Sequence, residues 1–423
     1  MPNTLTFTID FDRILWYLFC AFAFSLSFEL GFEVMLGIDT IFKPFRILSL
    51  LIIGVFGLRF LKKGMRFNPI DSPDVLLYFV FVYGMLVSLV RIISGVFNMG
   101  LFYNDVFQFG LHIASFFIFK SIPYTSRQIW TVFTFFFAGA LVNGAYIFTQ
   151  FAILGHFGRQ AGFIDNPNYG ALGLVACIVF LLLKINSFRR FWHKIVCGLL
   201  ILFLVYIFII QGSRTGLVIL VMANIILFFF YTIRFRFLLV LLSGLIVLLL
   251  MPHDLKQLKV GGGPLILVSR VMKNLNPEED VRYIVWKGVF RTLEDVGYGG
   301  MGIGQFKAQF PKYFGEESHK LILEMVNRGY FLSTHNDYLA ILTDYGLPSL
   351  FFYLAFLFFT FKRVFRKLIY PSEDDETEML NRFGFIMLFC LIVFGLAAEN
   401  FQHPLYWFIL AISTKQVSHV KQV

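Results

Sequence analysis

The chain has 423 residues, is 58% hydrophobic and 19% aromatic, and carries only 15% charged residues at a mean hydropathy of +0.75. A soluble globular protein lies nearer half apolar and a quarter charged, so that class is excluded in favour of a polytopic membrane protein. The formal charge of +10 could suit nucleic acid, but its distribution follows membrane topology instead.

Apolar stretches of about 18 or more residues, each enough to cross roughly 30 Å of hydrocarbon, recur along the chain. Spans are predicted near 14–36, 42–61, 75–96, 103–121, 128–154, 168–185, 195–211, 214–232, 236–251, 346–362, 380–398 and 402–414. The first is too long for a signal h-region and lacks a small-residue cleavage site, so it is expected to be retained. With a cytoplasmic N-terminus, the inner segments hold Arg59, Lys62, Lys63, Arg66, Lys120, Arg127, Lys184, Arg189, Arg190 and Lys194. They continue with Arg234, Arg236, Lys362, Arg363, Arg366, Lys367 and Arg382. The short outer loops hold only Lys43, Arg46, Arg91, Arg159 and Arg214. This asymmetry obeys the positive-inside rule and implies that both termini are cytoplasmic. Cys20, Cys177, Cys197 and Cys390 all fall inside apolar stretches, where they suit core or lipid-facing positions, and no Cys/His spacing suggests a metal.

One segment, 252–345, breaks the pattern of short loops. It is too polar and Gly-rich to cross, the count places it outside, and a connection of that length is usually functional. The expected organisation is therefore all-α: spans one to nine in 1–251, a large outer loop with short helices in 252–345, and spans ten to twelve with a cytoplasmic tail in 346–423.

Four constellations on the outer side could carry chemistry. In "GRQAGFIDNPNYGALG", Asn166-Pro167-Asn168 is a turn signal able to cap the next helix, while Arg159 is one of few cations on this face. In "QGSRTGLVIL", Arg214 is squeezed between two apolar stretches. A charge there needs a partner or a wet cavity, or it snorkels to the interface. Gly212 and Gly216 would admit a ligand or a neighbouring helix.

In "VRYIVWKGVFRTLEDVGYGGMGIGQF", Arg282, Trp286 and Val289 or Phe290 share helical spacing, so Arg282 projects from an amphipathic helix. The glycines that follow (Gly297, Gly299, Gly300, Gly302, Gly304) could cradle phosphate, but no buried strand precedes them and no Gly-Lys-Ser/Thr follows. Finally, in "STHNDYLAILTDYG", Thr334-x-x-Asp337 resembles a capping box, which would put His335 in the first turn of a short helix. The electropositive end of a helix favours a neutral imidazole, the form a general base needs. A plain polar residue at the interface fits His335 equally well.

Within the spans, ionisable residues are sparse, chiefly Glu29, Glu33, Arg91 and His112. A proton- or sodium-coupled transporter would be expected to bury more carboxylates near the midplane.

Together, "NPNYGALG", "GSRTGL", "RYIVW" with "GYGGMGIGQF", and "STHNDYLAILTDYGLPSL" resemble the O-antigen ligase/polymerase superfamily of bacterial surface-polysaccharide assembly. The resemblance covers roughly residues 150 to 350, with the motifs in the family order; the N-terminal third is similar only in its hydrophobic pattern. It implies a GT-C-type membrane glycosyltransferase of about twelve helices in the bacterial cytoplasmic membrane, acting at the outer leaflet. Such an enzyme transfers glycan from undecaprenyl diphosphate to an acceptor sugar hydroxyl, on a glycan chain or a lipid A core.

The resemblance further implies that Arg214 and Arg282 hold the donor diphosphate and that His335 is the base, with inversion and without metal or other cofactor. A guanidinium fork suits phosphate oxygens. Arg159, Asn166, Asn168, Asn336 and Tyr338 are further candidates for substrate contacts. Expected partners are the lipid-linked donor, the acceptor, membrane lipids and other polysaccharide-assembly proteins, with no nucleic acid. Polymerase and ligase share the donor site, so the motifs do not separate them. A protein O-oligosaccharyltransferase would be expected to carry an extra C-terminal soluble region. A lipid-linked oligosaccharide flippase or other secondary transporter would line a cavity through both leaflets, whereas here the cation-bearing motifs gather on one side.

Overall fold

The computed structural model describes residues 10–30, 43–63, 72–95, 97–156, 160–164, 166–185, 187–230, 281–313 and 333–417. Every regular element among them is helical. In chain order they are α1 (Phe11–Ser25), α2 (Pro44–Lys63), α3 (Ser72–Ile93), α4 (Met99–Ser121) and α5 (Ser126–Phe148, running on as a π turn Thr149–Ile153). Next come α6 (Pro167–Lys184), α7 (Phe191–Gln211), α8 (Arg214–Phe230), α9 (Val281–Val296) and α10 (Gln305–Tyr313). The series closes with α11 (Asp337–Ala340, running on as a π turn Ile341–Tyr345), α12 (Leu347–Ile369), α13 (Asp375–Gly395) and α14 (Pro404–Thr414).

Eleven of the predicted spans coincide with helices; 236–251 lies outside the described residues, as do Glu33, Arg159 and the start of the outer loop. Among the described helices, α2, α3, α5 with its π turn, α6, α7, α12 and α13 are long and apolar enough to cross a membrane. α8 and α14 are apolar but shorter, and α4 carries Asn104, Asp105, Gln108 and His112 along its length.

Local chemistry sets the helix starts. Asp10 caps α1 through the backbone N–H groups of Asp12 and Arg13, and Thr125 with Gln128 forms a reciprocal capping box on α5. Asn166 caps α6 ahead of Pro167, and Asp374 caps α13. Each side chain accepts N–H groups that the first helical turn leaves orphaned, worth about 1 kcal/mol per cap.

Helix α6 runs through the middle of the bundle, buried from Gly170 to Leu183. It packs on α7 and α8, while α12 lies along α3 and α1 along α2 and α5. One set of helix ends is joined by Arg59 with Asp12 at 2.5 Å and Lys120 with Asp74 at 2.5 Å. At the same end the Lys415 ammonium donates to the carbonyls of Phe119 (2.7 Å), Lys120 and Ile122. The four cysteines are buried in the apolar layer between the two ends.

At the opposite end the α13–α14 connection is seated by an aromatic cluster. The Phe401 ring lies 4.5 Å from Phe109, 5.5 Å from Trp407 and 5.2 Å from Tyr353, centroid to centroid, in tilted and edge-on pairs that aromatic quadrupoles favour. A separate small core, Val285, Val289, Leu293, Met301, Phe306, Phe310 and Tyr313, joins α9 to α10. Gly288 admits the Phe310 ring there, since a Cβ would lie 2.9 Å from Phe310 Cε2.

Candidate active site

Arg214 opens α8. Helix α7 stops because Gly212 takes the left-handed conformation (φ 59°), which glycine adopts without a Cβ penalty. Ser213 then caps α8: its Oγ accepts from Gly216 N at 3.0 Å and donates to Asn168 Oδ1 at 2.8 Å. Gly216 presses on α6, where a Cβ would sit 2.5 Å from that of Ala171. Gly216 thus admits a neighbouring helix. The half-buried Arg214 is fixed at the electropositive end of a 17-residue helix.

Arg282 lies in the first turn of α9, whose buried face of Val285, Val289 and Leu293 has the amphipathic spacing expected of it. Its Nη2 donates to Thr215 Oγ1 at 3.3 Å, one residue from Arg214. One turn further, Trp286 Nε1 donates to the Thr334 carbonyl at 3.0 Å, one residue from His335. From one flank, one turn apart, α9 thus bonds to the neighbour of Arg214 and to the neighbour of His335.

The expected capping box at Thr334 does not form. The cap of α11 is Asn336, whose Oδ1 accepts from Leu339 N at 3.0 Å while its Nδ2 donates to the Leu396 carbonyl at 3.0 Å. Thr334 Oγ1 instead donates to Asn336 O at 2.8 Å. His335 therefore stands before the helix, not in its first turn, at φ 50°, and is the one non-glycine with positive φ among the described residues. Its Nδ1 lies 3.4 Å from Ser333 Oγ.

The remaining candidates hold the scaffold in specific ways. Asn166 caps α6 by accepting from Asn168 N at 2.9 Å. Tyr338 donates its hydroxyl to Ile392 O at 2.8 Å. Asp337, buried, accepts from Asn400 N and Phe401 N at 2.5 and 2.8 Å. Burial pushes its carboxyl up to about 8 against those hydrogen bonds.

The glycine run is no phosphate cradle. Gly302 N donates to Asp344 O at 2.9 Å, Gly304 N to Asp344 Oδ2 at 3.1 Å and Phe306 N to Asp344 Oδ1 at 2.8 Å. A buried carboxyl group of the chain itself fills the nest that an anion would take. Burial raises the Asp344 carboxyl to about 8, with Phe306 N–H and Lys307 pulling the other way. Arg91, on α3, donates through Nη2 to Gly300 O at 3.0 Å and ties the loop to the bundle.

Four groups went unnoticed in the sequence: Asp105 on α4, Lys307 on α10, and Glu399 and His403 in the α13–α14 connection. Lys307 Nζ lies 3.3 Å from Asp105 Oδ2, 3.4 Å from Glu399 Oε1 and 2.7 Å from Gln402 Oε1. Burial alone would lower the Lys307 ammonium; Glu399, Asp105 and Asp344 outweigh it and hold it raised. Glu399 Oε2 accepts from Thr334 Oγ1 at 3.5 Å. His403 stacks on Tyr169 at 3.7 Å and meets Glu29 Oε2 at 3.3 Å, while Glu29 also pairs with Lys43 at 2.6 Å. The available signal was "AENFQHP", a polar heptad between two apolar helices. Among the described residues no group of three His, Cys, Asp or Glu could hold a metal ion.

Three guanidinium- or imidazole-bearing segments, far apart in sequence, thus meet around α9 at one end of a helical bundle. Residues 199–354 match the O-antigen ligase family. The O-antigen ligase stretch runs from within α7 into the first turns of α12 and contains Arg214, Arg282, Lys307 and His335, whereas Glu399 and His403 lie beyond it. The match supports the O-antigen ligase/polymerase superfamily that the motifs resemble, and a ligase- or polymerase-type role in surface-polysaccharide assembly. With the apolar helices described above, the match indicates an integral membrane protein. No curated protein matches the chain.

Proposed function

We propose that this protein is an inverting, metal-independent glycosyltransferase of the cytoplasmic membrane, with twelve spans, a GT-C-type architecture and cytoplasmic termini. It moves glycan from undecaprenyl diphosphate to a sugar hydroxyl at the outer face. Arg214 and Arg282 bind the diphosphate. Their delocalised charges neutralise the leaving group as the anomeric C–O bond breaks, the role a metal plays elsewhere. His335 takes the proton of the acceptor hydroxyl as its oxygen attacks the anomeric carbon from the opposite face.

One observation carries this reading: α9 bonds both to Thr215, beside Arg214, and to Thr334, beside His335, while bearing Arg282 itself. The cationic end of α8 adds to the field on a diphosphate. The His335 backbone conformation fits a side chain held for chemistry, because strained φ/ψ values concentrate at functional sites.

Donor binding tests the arginine assignment. In nanodiscs, Arg214→Ala and Arg282→Ala should each weaken binding of a lipid-linked oligosaccharide diphosphate by about 10- to 100-fold, the worth of a lost charge-assisted hydrogen bond. EDTA should leave wild-type binding and transfer intact. Unchanged affinity in either variant, or strict dependence on a divalent ion, contradicts the assignment.

A further inference from the structure

One flank of α9, between its core stripe and the charged outer face of Glu294, Lys287 and Arg291, is aromatic. At about 100° per residue, the core stripe of Val285, Val289 and Leu293 is followed by the edge bearing Arg282 and Trp286. Beyond that edge come Phe290 and Tyr283, which are 57% and 45% exposed. Tyr283, Trp286 and Phe290 follow an i, i+3, i+7 pattern and form one stripe along the helix. Its middle ring is tethered to the His335 segment through the Trp286–Thr334 bond, so the stripe is continuous with the candidate site. Tyr283 and Phe290 lie two turns apart, about 10 Å along the axis, on the order of two pyranose rings. Glu294, Lys287 and Arg291 border the stripe on its far side.

We infer that Tyr283 and Phe290 form a stacking platform for the glycan of the lipid-linked donor, along which the chain leaves the diphosphate held at Arg282. The inference rests on the transferase reading above. Flat aromatic faces offer apolar, sequence-tolerant contact to the C–H faces of sugars, and exposed aromatic patches mark binding surfaces. The platform would act on the length of the bound glycan and not on the bond being broken, so its signature is a dependence on chain length.

The test uses the full chain in nanodiscs and two donors, one bearing a single sugar and one bearing several repeat units. The double variant Tyr283→Ala/Phe290→Ala should raise KM for the long donor about tenfold, the worth of one or two aromatic contacts. Its kcat, and both constants for the one-sugar donor, should stay within about twofold, and Tyr283→Phe with Phe290→Tyr should restore the long-donor KM. Equal losses for both donors, or none for either, overturn the platform.

Phe290→Cys labelled with bimane gives a readout independent of turnover, since the four native cysteines are buried. A soluble oligosaccharide should shift its emission. Quenching by brominated lipids with no response to the sugar would make the stripe a membrane contact and overturn the proposal. A sugar response in a protein that turns over neither donor would sustain the platform and sink the transferase reading.

Discussion

At the scale of single residues, two backbone positions set the site. His335 sits at φ 50°, a conformation that asparagine tolerates and β-branched residues do not. Gly346, at φ 86° and ψ 169°, joins the π turn after α11 to α12. It lies against the glycine loop so closely that a Cβ would fall 2.5 Å from Gly299 O. Gly346→Ala should therefore cost at least about 2 kcal/mol, from a glycine-only conformation and a backbone clash. Thermal unfolding in detergent checks this, and an unchanged midpoint would mean that the loop yields. The role of Asn336 was legible only in part. Both Thr334 and Asn336 are good caps, and the choice falls to Asn336 because its amide also reaches Leu396 O on a distant turn. Nothing local to the sequence encodes that bond.

At the scale of elements, α9 and α10 act as a bracket between the outer segment and the bundle. Their small core is local, but Lys307 anchors the bracket by reaching Asp105 on α4 and Glu399 after α13. Removing one partner of a buried ion cluster strands the remaining charges, at about 3–5 kcal/mol. Lys307→Met, which keeps the volume, should accordingly destabilise the protein by several kcal/mol and reduce transfer through misplacement of Arg282. Lys307→Arg should recover part of both. Wild-type stability in Lys307→Met would show that the bracket stands without the cluster. This cluster was invisible in the sequence, because its members lie about 90 to 300 positions apart and each alone looks like an ordinary polar residue at a helix end. The glycine run misled in the opposite sense. It has the composition of an anion cradle, but Asp344, 40 positions away in sequence from Gly304, fills it.

Over the whole molecule, burial and charge divide cleanly. Apolar helices form the middle, inter-helix ion pairs close one end, and the other end carries Arg214, Arg282, His335 and the Lys307 cluster. That division was the most legible feature, since span length and hydropathy report directly on what hydrocarbon demands. The convergence of Arg214, Arg282 and His335 was legible only through resemblance; the bonds to Thr215 and Thr334 supply its physical basis. In the proposed reaction His335 accepts the proton while Arg214 and Arg282 hold the donor. The most direct measurement is the initial rate of glycan transfer in proteoliposomes by His335→Asn, with donor binding measured on the same sample. Donor affinity should stay within about threefold of wild type while the rate falls by about 10²- to 10⁴-fold, the usual worth of a general base. A near-normal rate, or a loss of donor affinity matching the loss of rate, would contradict that role.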